Sequence, residues 1–266
     1  MSDTAPATAD VPGRRRHRGR NALIALAIVV VVLVVAAVVL DGVARSYASG
    51  LIRDKVRSSL SLPASTPIDV TIQGASVLLQ LASGTLQQVD IAAPNLTVGQ
   101  LTGDAKLTVR GVPISAGRPI DGATLKFSTG EAGLHKLLSG FSGVPINSVA
   151  ISSGVLRVGG SVTVFAAPLP IQVGFVPSAV DGELALTPKY VVVNGAKITP
   201  AALKNTFGSL ADAVTQTQKI CVANLLPKAF HLDSVAVSGP NLVLAVSTGA
   251  VLLEQSTFTT QGTCPG

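Results

Sequence analysis

Residues 22–40 read ALIALAIVVVVLVVAAVVL, nineteen consecutive positions without a polar or charged side chain. A helix over this stretch, rising ~1.5 Å per residue, is roughly 28 Å long, close to the ~30 Å hydrocarbon core of a bilayer. Its many valines would favour a strand in a soluble protein. No single strand is nineteen residues long and apolar on both faces, and lipid demands that every backbone polar group be bonded within the segment, so the stretch reads as a membrane-spanning helix and not as a buried core helix. Its flanks set the orientation. Arg14, Arg15, Arg16, Arg18 and Arg20 precede it, whereas Asp41–Gly50 carries one aspartate and one arginine. Positive charge stays in the cytoplasm, which puts residues 1–20 inside and residues 41–266 outside. Beside a span the arginine run reads as a topology signal that also meets anionic headgroups, and not as a nucleic-acid tract. An apolar run of nineteen exceeds the ~7–15 of a cleaved signal peptide, so residues 21–40 are expected to form an uncleaved signal anchor, although Ser46-Tyr47-Ala48 offers a cleavage-like spacing.

The outer part carries 15 basic and 12 acidic residues, too even a balance for a nucleic-acid footprint. Cys221 and Cys264 are the only cysteines. An even count in an oxidising compartment predicts one disulfide, closing a loop worth roughly 4 kcal/mol in the chain-entropy model. With no CxxC and only His135 and His231 nearby, no zinc ligand set forms.

Outward from the span, residues 1–20 lack hydrophobic periodicity and are expected to be disordered. Residues 41–62 carry Ala44, Ala48, Ile52, Val56 and Leu60 at every fourth position, a helical stripe ended by Pro63 and Pro67, which reads as a stalk. Residues 63–266 read as the extracytoplasmic domain. Strands are expected at Ile68–Ile72, Val89–Ile91, Leu107–Val109 and Leu125–Phe127, from apolar and polar alternation. SVLLQL, residues 76–81, is an apolar run between Gly74 and Gly84. Ser128 and Glu131 have capping-box spacing, followed by Leu134, Leu137, Leu138 and Phe141 on one helical face, with Gly140 in its last turn. Further strands follow, with Gly159-Gly160 read as a hairpin turn and Asn194-Gly195 as another turn. Thr199-Pro200 opens a second amphipathic helix bearing Leu203, Phe207, Leu210 and Val214, with Gly208 inside it. Short strands at Val235–Val237, Leu242–Val246 and Val251–Leu253 close the chain. This order predicts an α+β fold, a mainly antiparallel twisted sheet wrapped around or covered by a few amphipathic helices.

Catalytic signatures are missing. There is no HExxH, GxSxG, P-loop or GxGxxG after a strand, and acid–base or serine chemistry would have to rest on His135 or His231. The chain therefore reads as a non-enzyme without cofactor or metal. It is 47% hydrophobic yet 3% aromatic with no tryptophan, an aliphatic surplus that can fill a core or line a groove for acyl chains.

Gln73-Gly74, then residues 76–86 (SVLLQLASGTL) and Val89-Asp90-Ile91, resemble the opening of the LmeA-like phospholipid-binding family of actinobacterial cell-envelope proteins. The likeness continues through residues 107–112 (LTVRGV), Leu225-Leu226-Pro227 and residues 242–246, and covers most of residues 41–255. The aromatic or proline usual in the turn before Leu78 is replaced here by Ala75-Ser76-Val77. The resemblance implies a fold similar to tubular lipid-binding domains. It implies binding of anionic or inositol phospholipid, and a role in envelope lipid or mannan-type lipoglycan biogenesis. On that reading Val77, Leu78, Leu79 and Leu81, with the two helix faces (Leu134, Leu137, Leu138, Phe141; Leu203, Phe207, Leu210), meet the acyl chains. Residues 77–79 form the entrance at the membrane surface. Lys106, Arg110, Lys126 and Arg157 are the candidate headgroup cations. The competing reading is a structural envelope protein whose β-rich domain has no groove and binds a protein partner.

Overall fold

The computed structural model describes residues 18–59, 62–98, 101–141, 146–164, 167–223, 226–252 and 260–264. The basic tail over residues 1–17, Leu60 and Leu253 lie outside them. One continuous helix, α1 (Arg18–Ser59), contains the apolar stretch, whose side chains from Val29 to Leu40 are all exposed. Its second half changes environment. Ala44, Ala48, Ile52 and Val56 pack against Ile68, Val70, Ile72 and Val77 of the domain. The same stripe that repeats every fourth residue thus buries one face of the helix, as a 3.6-residue period requires.

Among the described residues the strands divide between two main antiparallel sheets, neither closed into a barrel, and one small pair. The first contains β1 (Asp69–Gln73), β2 (Thr85–Val98), β3 (Leu101–Pro113), β5 (Gly122–Thr129), β12 (His231–Ser238) and β13 (Asn241–Thr248), in the order β1-β2-β3-β5-β13-β12. The second contains β6 (Ile146–Ser152), β7 (Val155–Val164), β8 (Ala167–Val180), β9 (Glu183–Val193) and β10 (Ala196–Ile198), with β11 (Gln218–Cys221) also on β9. A small pair, β4 (Pro119–Ile120) and β14 (Val251–Leu252), lies beside the first sheet. The expected antiparallel α+β architecture is the one observed.

The sheets meet where β12 lies against β8. Leu156, Leu186, Leu232, Val235, Leu242 and Val246 form the buried layer between them, joined by Leu134 from α3 (Glu131–Phe141). Farther along the second sheet, Leu203 of α4 (Pro200–Phe207) covers Val173 and Val191. Thr199 caps α4 by accepting from Ala202 N at 3.2 Å. Gly208 then breaks the expected longer helix into a 3-10 turn (Gly208–Ala211) and α5 (Asp212–Thr215).

Three local expectations are corrected. SVLLQL belongs to a short helix, α2 (Val77–Ser83), because Ser76 accepts from Leu79 N at one end and Gly84 takes a left-handed φ of 79° at the other. Gly159-Gly160 is not a turn; β7 runs straight through it, and the hairpin falls at Ser153-Gly154. Gly159 serves close approach instead, since a Cβ there would lie 2.3 Å from Ser148 Oγ. Ser128 remains in β5, and Glu131 bonds away from its own helix, with Oε1 accepting from Ile151 N at 2.7 Å. Asn194-Gly195 does form a two-residue turn, between β9 and β10, with both residues at positive φ.

Candidate lipid-contact surfaces

The first surface is built where α1 leaves its apolar stretch. β1 is an edge strand, with one side open. Arginines of α1 fill that side. Arg45 donates to Ile72 O and, at 3.0 Å, to Gly74 O; Arg53 donates to Ile68 O at 2.8 Å; Arg57 donates to Thr66 O at 3.0 Å. This ladder sets β1 antiparallel to α1 and brings Gly74 down towards the apolar half of the helix. Asp41, the first residue past that half, receives the chain there. Its Oδ1 accepts from Ser76 Oγ at 2.8 Å and from Leu78 N at 3.0 Å. These bonds, the Leu78 amide foremost, hold its carboxyl below the usual range, against a smaller opposing effect of desolvation.

α2 is pinned from within by Gln80, only 5% exposed. Its Nε2 donates to Gln73 O at 3.0 Å and Ser76 O at 3.2 Å, and its Oε1 accepts from Gln87 N at 2.8 Å. Val77 is fully buried, while Leu78 and Leu81 are each 39% exposed and Leu79 is 72% exposed. The four apolar residues assigned to acyl contact therefore divide, one holding the helix to the domain and three facing outward. The turn after β3 joins the same end: Ile114 N donates to Gly84 O at 3.1 Å, and Ile114 is 50% exposed. The Arg118 guanidinium lies 3.9 Å from where a Cβ on Gly84 would stand.

The second surface is a cleft of about 270 Å³ at the rim of the inter-sheet layer. Leu226, Phe230 and Leu232 give it an apolar wall, with Lys228, His231 and Asp181 at its edge. Leu232 belongs to the buried layer as well, and Leu226 and Phe230 pack against that layer, so the cleft borders the inter-sheet core. Gly262 and Thr263, from a strap over residues 260–264, line it too. Lys228 N donates to Thr260 O at 2.8 Å, and Gly262 N to Leu226 O at 3.0 Å. The expected disulfide holds this strap, joining Cys221 at the end of β11 to Cys264 with a Cα–Cα distance of 5.9 Å.

The remaining expected residues are scattered. Leu134 and Leu203 are buried, each against a different part of the core, and Phe207 is 55% exposed. The side chains of Leu137, Leu138, Phe141, Leu210 and Val214 lie outside the described residues, as does Leu225. Lys106 and Lys126 face one another across β3 and β5, and Arg110 follows four residues along β3. All three are exposed on the outer face of the first sheet, turned away from Leu107 and Val109. Asp90 shares that face. Burial disfavours its charge, but hydrogen bonds from Thr108, Gln73 and Gln88 and the charge of Lys106 outweigh it, and its carboxyl titrates below the ordinary value. Arg157 sits in β7, half-buried, with an Nε that has no partner among the described residues. Three of these cations thus share one face of the first sheet, and Arg157 stands in the second. Asp41, Arg118 and the Lys228–Leu232 segment had no motif to mark them, and Gln80 stood unremarked inside SVLLQL; only tertiary placement brings them to the two surfaces.

No group of three or more potential metal-ligating side chains occurs among the described residues. The arrangement is that of an aliphatic β-domain with a cleft lined by both apolar and polar side chains and a short helix with three exposed leucines, which suits contact with lipid. The model of the LmeA-like phospholipid-binding family matches residues 39–247, and the chain belongs to that family. This is a lipid-binding family and not an enzyme family, so phospholipid is the ligand class it supports. No curated protein and no solved structure matches the chain.

Proposed function

We propose that the chain is a membrane-anchored, extracytoplasmic phospholipid-binding protein that takes lipid from the outer face of the membrane and serves envelope lipid or mannan-type lipoglycan biogenesis. The observation that carries this reading is the cleft at Leu226, Phe230 and Leu232, residues that also belong to or pack against the aliphatic inter-sheet layer, in a chain of this family. Ligand pockets usually run from ~300 to ~1,000 Å³, so a cleft of about 270 Å³ accommodates a headgroup or a chain end and not a whole two-chain lipid. The bulk of the lipid then enters by parting the strap from the apolar wall. Acyl chains are already buried in a bilayer, so the wall has only to match that environment at ~0.8 kcal/mol per methylene. Selectivity falls to polar groups at the rim, and Lys228 and His231 suit an anionic or inositol phosphate.

The disulfide supports an oxidising location for the domain. The exposed apolar half of α1 supports a span over residues 21–40 with the N-terminus inside. The test is lipid mass spectrometry on the full chain purified from membranes in detergent, beside a Thr263→Trp variant. Thr263 is exposed on the strap and lines the cleft, so an indole there fills the mouth without entering the core. The wild type is expected to retain a phospholipid through detergent washing that the variant loses. Equal lipid in both, or none in either, counts against cleft binding.

A further inference from the structure

The end of the domain nearest the apolar half of α1 exposes apolar side chains at Leu78, Leu79 and Ile114. Three observations converge on it. The arginine ladder fixes β1 antiparallel to α1, and Asp41 bonds α2 at the level of the first residue beyond the apolar stretch. Leu78 and Leu79 are exposed there, beside the uninterrupted apolar stretch that ends at Leu40, and α1 carries exposed apolar side chains onward at Val43, Tyr47 and Leu51. Arg118 stands beside the C-terminal end of α2, on the turn that Ile114 bonds to Gly84.

We infer that α2 and the 114–118 turn form a foot seated on the bilayer surface, with Leu78, Leu79 and Ile114 entering the boundary between headgroups and acyl chains and Arg118 meeting lipid phosphate. The inference rests on the anchoring read above. Its occupant is the same bilayer that α1 crosses, because a helix rising ~1.5 Å per residue leaves no room for a water layer between Leu40 and α2. An interfacial helix buries its apolar face ~5–10 Å deep, within reach of Leu79 from the level of Asp41. A nearby arginine adds attraction to anionic lipid. The domain thus stands on a two-point support, and its strand ends at Gly74, Thr85 and Pro113 face the lipid.

The chain has no tryptophan, so single substitutions give unambiguous reporters. Full-length Leu79→Trp, Val32→Trp and Ser238→Trp proteins are reconstituted into vesicles of phosphatidylcholine and phosphatidylglycerol whose acyl chains are brominated both near the headgroup and near the chain end, so that quencher reaches the bilayer surface and its middle. Ser238 lies at the far end of the first sheet, where β12 turns into β13. Leu79→Trp and Val32→Trp are expected to be quenched, and Ser238→Trp not. Quenching of Val32→Trp with Leu79→Trp as bright as Ser238→Trp overturns the foot and leaves the anchor intact. An unquenched Val32→Trp overturns the anchor and the foot together. Charge reversal, Arg118→Glu, is expected to weaken Leu79→Trp quenching in anionic vesicles only.

Discussion

Asp41 is the residue on which the placement of α2 depends. One carboxylate oxygen takes both the Ser76 hydroxyl and the Leu78 amide, and Ser76 in turn accepts from Leu79. Asp41→Ala removes the acceptor and leaves a first-turn amide without its partner. Deuterium exchange over residues 77–83 should then quicken, while β3 stays as slow as before. The pH dependence follows from the sign of the shift. The folded carboxyl titrates below its ordinary value of 3.8, so its contribution is complete above about pH 4 and is lost as pH falls through the folded value. Leu79→Trp emission should report a looser α2 in that acid window and stay constant from pH 5 to 8 (roughly the range where no carboxylate of ordinary pKa titrates). The sequence marked Asp41 only as a charge beside a span. Its partners lie more than thirty residues away, a distance that no local pattern encodes.

Elements were legible where periodicity was long and illegible where it was short. The stripe Ala44–Val56 and the alternation in β1, β3 and β5 each bury one face over several residues, so their patterns stand out. SVLLQL is too short for a period to declare itself, and its helix is settled by the caps at Ser76 and Gly84. Gly159-Gly160 looked like a turn because glycine pairs serve turns, yet glycine also serves strands that need close lateral approach. Gly133 offers a test at this scale. A Cβ there would lie 2.4 Å from the Thr102 carbonyl oxygen, a backbone atom that cannot swing away. Gly133→Ala should lift α3 from the first sheet and cost about 1–3 kcal/mol, read as a lower thermal midpoint. The disulfide is the other element-scale device. It spans 43 residues and fastens the strap, and Cys221→Ser should cost roughly 4 kcal/mol if the chain-entropy account holds. Denaturation with and without reductant checks this, and a wild type indifferent to reductant would count against it.

For the molecule as a whole, an aliphatic α+β domain behind an apolar helix was legible in the sequence. The sequence did not announce that the strands split into two sheets, because pairing of β5 with β13 joins segments more than a hundred residues apart. Nor did it show which cations gather, and the expected set of Lys106, Arg110, Lys126 and Arg157 lies apart from both the cleft and α2. The account's central claim is that phospholipid enters the inter-sheet layer beside Leu226, Phe230 and Leu232. The most direct test is a phospholipid with a photoreactive group at its acyl terminus, crosslinked to the full chain in vesicles and mapped by peptide mass spectrometry. The account predicts adducts in residues 171–186 and 226–235, lost in Thr263→Trp, beside those on the anchor. Adducts confined to residues 22–40 and 77–83 would contradict it, leaving a protein that touches lipid only from outside.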